Sequence, residues 1–147
     1  MLSREIKEID HFIDNRLYAF PYDGNMKEML TEEETIAIEN FAENLRKIFK
    51  YINQNLDKEE RIENNFTTQN IKKQFDSIMM AFYGERFFEI LNELYCKSSY
   101  HGQQLIDEFH FHKRTQYSQD VSNSEQYKKE LKDIMVKIKR KNESKKR

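Results

Sequence analysis

The sequence predicts an all-α fold: a single-domain bundle of five to seven mostly antiparallel helices, with a long central helix near 32–55. Three observations predict it. The chain has three glycines and one proline in 147 residues, too few for the turns that a sheet needs. Between Thr31 and Leu56, Ile38, Phe41, Leu45, Ile48 and Ile52 recur at steps of three and four, which places them on one helical stripe. Nineteen aromatics, eleven Phe and eight Tyr, give a chain that is 35% charged enough apolar bulk to fold around a core.

Each element then follows in order. Ser3 caps a first helix to about Ala19, with Ile6, Ile9, Ile13 and Leu17 on one side. Phe20-Pro21-Tyr22-Asp23-Gly24 ends it in a turn. Asn25–Leu30 is short, about one helical turn. Thr31 and Glu34 form a capping box for the long helix, and Asp57 with Glu60 forms another for a short charged helix carrying Ile62. Phe66 is expected to drop into the core, with Thr67 or Thr68 capping the next helix along Ile71, Phe75, Ile78 and Phe82. The apolar register shifts across Gly84, so a kink or short break is expected there. Ser98 and Ser99 start a further helix with an uncertain first turn at Gly102. Ser118–Ser124 has the composition of a loop, and Ser122 with Glu125 a third capping box for a last helix through Leu131, Ile134 and Ile138.

One domain's worth of chain divides by charge into a helical domain, 1–136, and a basic C-terminal tail, 137–147, continuing the last helix. Lys137 to Arg147 holds seven cations and one anion, so the preceding 136 residues carry −7 against a total of −1. Cys96 is the only cysteine and lies beside Leu94 and Tyr95, which reads as a buried or half-buried thiol. A charged N-terminus and the lack of a long apolar run point to a cytoplasmic protein with no membrane contact.

Reactive constellations are weak. On a continuous helix His101, Glu108 and His112 would share a sector near Cys96, but one cysteine and a glycine in the first turn argue against a metal site. Glu8-x-x-His11 resembles half of a di-iron ligand set. It points away from the Ile6, Ile9 and Ile13 stripe, whereas such ligands face a bundle's interior. Arg4 and His11 fall within the Arg-x4–6-His spacing of some small helical ribonucleases, a spacing that chance supplies readily, and Glu5 departs from the pattern. Gly-rich phosphate loops, Gly-x-Ser-x-Gly elbows and Cys-x-x-Cys pairs are absent from the sequence. No catalytic residue, metal ligand or cofactor is assigned.

Two features carry functional content. Tyr83, Phe87, Phe88, Tyr100, Phe111 and Tyr117 cannot all share one buried stripe, so some are expected at a protein interface. The cations Lys137, Lys139, Arg140, Lys141, Lys145, Lys146 and Arg147 could meet phosphates. A helix-turn-helix around Thr67–Tyr83 would bring only Lys72 and Lys73, beside Asp76. The sequence therefore points to a non-enzymatic interaction protein, an accessory inhibitor, adaptor or regulator of the kind phage or mobile elements encode, that binds a partner protein stoichiometrically. The alternatives are a nucleic-acid-binding regulator using the tail and a metal-dependent or ribonuclease-like helical enzyme. The 38–52 stripe could also serve a homodimer, although a core stripe is the simpler account.

Overall fold

A computed structural model describes residues 2–17 and 26–145. They form five α-helices with no strand among them: α1 (Leu2–Arg16), α2 (Glu32–Asn55), α3 (Lys58–Glu63), α4 (Thr68–Lys97) and α5 (Tyr100–Lys145), with a 3-10 turn at Met26–Met29 before α2. The all-α bundle with a long helix near 32–55 is what the apolar periodicity requires. The Phe20–Gly24 turn, Lys146 and Arg147 lie outside the described residues.

Helix starts follow local chemistry. The Thr31 hydroxyl accepts from Glu34 N at 3.1 Å, and Glu34 Oε1 accepts from Thr31 N at 3.0 Å. Asp57 and Glu60 make the same reciprocal pair, and Thr67 caps α4 by accepting from Asn70 N; each cap contributes about 1 kcal/mol. Asn65 closes α3 in the left-handed region at φ 55°. Phe66 N then donates to Arg61 O and Asn65 N to Ile62 O, a Schellman turn that delivers the buried Phe66 ring to the core. In α3 the buried side chain is Arg61, while Ile62 is 55% exposed. Arg61 donates to Asn53 O and Oδ1 and pairs with Glu5 at 3.0 Å.

The core has two parts. At the base, Ile9 and Ile13 of α1, Ile38, Leu45, Phe49 and Ile52 of α2, Phe66, the first half of α4 (Ile71, Phe75, Ile78, Met79) and the last turns of α5 (Leu131, Ile134, Ile138) pack together. Of the 38–52 stripe, Ile38, Leu45 and Ile52 are covered within the chain at 3%, 6% and 0% exposure, while Phe41 and Ile48 are partly buried against the same core. At the far end, Met80, Phe87, Phe88, Ile90 and Leu91 of α4 pack on Ile106 of α5, with Met29 and Leu30 against them.

Three expected interruptions do not occur. Helix α4 runs unbroken through Gly84; the glycine instead admits the Tyr117 ring, whose Cε2 would collide with a Cβ placed there. Gly102 is helical, its N–H donating to the Ser99 hydroxyl that caps α5. Ser118–Ser124 is not a loop and Ser122 caps nothing. Asp120 and Ser124 are buried against α4, beside the equally buried Ser77 and Gln74. Polarity that reads as a loop is a polar seam between the two longest helices.

The described part of the tail, 137–145, is a helix docked on the body. Ile138 is fully buried, Lys137 Nζ donates to Asn64 Oδ1 at 3.0 Å, and Lys141 Nζ meets Glu60 Oε1 at 2.7 Å. Among the described residues no helix is long and apolar enough to cross a membrane.

Candidate functional site

The polar seam opens into a groove of about 380 Å³ lined by Arg16, Asp76, Tyr83, Phe109, Lys113, Gln116 and Asp120. Helix α4 places Ser77 one residue after Asp76, so its hydroxyl turns to α5 and donates to Asp120 Oδ1 at 3.2 Å. Asp76 turns the other way and takes both oxygens to Arg16 at 3.1 Å each. Burial raises the Asp120 carboxyl above its ordinary range, opposed chiefly by the Ser77 hydrogen bond and by Lys113. Burial also pushes the Tyr83 hydroxyl up to about 12, with Asp76 adding to it and Arg16 opposing. This arrangement can hold a proton, but a tyrosine at about 12 is a poor base and the Arg16–Asp76 charges neutralise one another.

Among the described residues no group of three or more His, Cys, Asp or Glu is placed to hold a metal ion. His101, Glu108 and His112 are exposed on the continuous α5. Glu8 pairs with Lys72 at 3.0 Å and His11 with Asn15 at 3.0 Å. Cys96 is exposed rather than buried, because Leu94 and Tyr95 turn toward the hairpin core while Cys96 falls on the next face.

The six aromatics expected at an interface divide. Phe87 and Phe88 are core residues at 3% and 5% exposure. The unbroken α5 brings rings across from them: Phe88 meets His110 at 5.1 Å and Tyr117 at 5.5 Å, edge to face, with the Arg114 guanidinium 5.0 Å over its face. Burial, with Arg114 close by, lowers the His110 pKa. Tyr83 and Tyr117 are half-buried. Tyr100 and Phe111 stand out at 77% and 70% exposure. They are eleven residues apart, close to three turns, and so lie on one line of α5, roughly opposite the buried Ile106.

The tail cations divide as well. Lys137 and Lys141 are engaged with Asn64 and Glu60, while Lys139, Arg140 and Lys145 are exposed. A boundary at residue 137 misses Lys128, Lys129 and Lys132, which are exposed on the same side of α5 as Lys139 and Arg140. Helical phase counted back from Ile138 would have found them. Comparison with protein-family models, curated proteins and solved structures finds no match to this chain.

Proposed function

We propose that the protein acts by stoichiometric, non-catalytic binding to a partner protein, as an inhibitor, adaptor or regulator does, and that the outward face of α5 near the hairpin end makes the contact. The observation that carries this reading is the Tyr100–Phe111 line. Two large aromatics at 77% and 70% exposure, with Leu105 at 46% on the same helix, gain little in the isolated chain. Tyrosine and phenylalanine give much contact area at low side-chain entropy cost, which is why they anchor interfaces. The Gln104 amide donates to the Tyr100 hydroxyl at 3.2 Å, which steadies that ring on the surface.

The test is capture from nuclease-treated lysate of the native host, using the full chain with a photocrosslinking residue at position 111. A protein recovered in near one-to-one ratio, crosslinked at 111 and lost with Tyr100→Ser/Phe111→Ser, supports the reading. Identical recovery by wild type and the double variant rejects it.

A further inference from the structure

We propose that the outward face of α5 from Lys128 to Arg140 docks on the phosphate backbone of a nucleic-acid duplex, a surface separate from the Tyr100–Phe111 line. Lys128, Lys132 and Lys139 follow one another at steps of four and seven and share one line of the helix. Lys129 and Arg140, eleven apart, share a line about 80–100° further round. The buried Leu131, Ile134 and Ile138, at 6%, 5% and 0% exposure, fix the inward side; the Lys129 line stands opposite it and the Lys128 line on its flank. All five cations are exposed.

They are exposed cations gathered on one face of a single helix and, among the described residues, not tied to carboxylates. Arg16, Arg46, Arg61, Lys72, Arg86 and Lys141 each hold a carboxylate. None of Lys128, Lys129, Lys132, Lys139 or Arg140 has an ion pair among the described residues. Within this stretch the face holds one acid, Asp133, and the exposed Glu125 and Glu143 stand one turn beyond its two ends; Glu130 turns toward Asn65, Asn70 and Lys73 instead. Five cations against one acid within the stretch make a local basic patch on an otherwise acidic chain, complementary to a polyanion.

Geometry selects the duplex. The five cations span thirteen residues, about 18 Å of straight helix, and a duplex presents one phosphate charge per ~1.7 Å of axis. Single strands are held by stacking bases on exposed aromatics. This face has none: Tyr127 is half-buried, and the exposed large apolar side chain here is Val136. Contacts to phosphate fix position without reading sequence, so binding is expected to be sequence-independent.

The test is fluorescence anisotropy of the full chain against a short labelled DNA duplex of arbitrary sequence across a salt series. Three to five contacts predict a log–log salt slope of about −2.7 to −4.5, an affinity loss of about 40- to 500-fold between about 50 and 200 mM salt. Lys128→Gln/Lys132→Gln/Lys139→Gln should make the slope shallower by about 0.9 per cation removed. Lys137→Gln, which changes a lysine already bonded to Asn64, should leave it unchanged. Circular dichroism checks that the variants fold, as expected for exposed, unpaired groups. The proposal is overturned by absence of salt-sensitive binding, by an unaltered slope in the triple variant, by a loss with Lys137→Gln equal to that of the triple variant, or by preference for phosphatidylserine vesicles over the duplex.

Discussion

The two ends of the α4/α5 hairpin use the same pair of helices and are held by different means. At the base, α1, α2, α3 and Phe66 close around the hairpin, and cations tie the pieces together: Arg16 to Asp76, Lys72 to Glu8, Arg61 to Glu5, Lys141 to Glu60, and Arg46 to Asp10 and Asp14. At the far end the hairpin packs on itself, with Met29 and Leu30 against it. There Arg86 is the centre, pairing with Glu34 at 2.7 Å and Glu89 at 3.2 Å and donating to Met29 O. An element can thus be interior at one end and display surface at the other. The difference lies in what is folded against it.

The largest expected effect tests whether the base carries the stability. Phe75 is 1% exposed and meets Phe12 edge to face at 6.2 Å; Phe75→Ala should cost about 3–5 kcal/mol. Amide exchange should rise throughout α1, α2 and α4. Ile106→Ala at the far end should raise exchange chiefly along 84–117. If both variants give the same exchange pattern, the two ends are one cooperative unit and the comparison fails.

At the junction, Gly84→Ala gains about 1 kcal/mol of helix propensity but drives a methyl into the Tyr117 ring, which is also packed on Phe88. Overpacking of about 1–3 kcal/mol should outweigh the gain and lower the midpoint of urea denaturation. Adding Tyr117→Ala should cost less in the Gly84→Ala background than alone; additive losses would show that the ring does not sense position 84.

The seam and the base should respond to pH with opposite signs. Asp120 has a raised folded pKa, chiefly from burial. The folded state therefore holds its proton more firmly than the unfolded chain, and stability falls as pH rises from the ordinary value of 3.8 through the folded pKa. Asp120→Asn should raise Tm at pH 7, by about 2–4 °C for each kcal/mol recovered, and the gain should vanish in acid. Glu60 is lowered, first by the Lys141 hydrogen bond and then by Asp57 N–H. Its contribution is present above 4.5 and lost as pH falls through the folded pKa. Thermal melts of Glu60→Gln should therefore lie below wild type at pH 7 and converge with it in acid.

The smallest effect belongs to the exposed aromatics. Phe111→Ser should change stability by no more than about 0.5 kcal/mol, measured by urea denaturation. A larger loss would mean that Phe111 supports the hairpin rather than displaying a contact face.

What could be read from the sequence was local. The capping boxes at Thr31 and Asp57 and the cap at Thr67 are contacts within four residues, written in the residue types themselves. The α2 stripe was legible for a similar reason, although Ala42 and Phe49 sit deeper than Phe41 and Ile48. What could not be read depended on a partner helix. Ser118–Ser124 signals a loop only if its polar groups must face water, and here Asp120 accepts from Ser77 of α4 and Ser124 is buried. Gly84 signals a break only if no ring from α5 needs its space. Phe87 and Phe88 are buried because they find their cover on α5, a helix that begins at Tyr100.

Helix α5 is 46 residues without interruption, a rod of about 69 Å. Phe111 and Lys128 are carried on it about 25 Å apart, with their relative bearing set by the winding of one coil. Anything gripped near Phe111 and anything gripped beyond Lys128 would be kept at a fixed span and azimuth, as on a ruler. Adding one residue between them would swing one grip by about 100° relative to the other, while adding seven would restore the bearing to within about 20°.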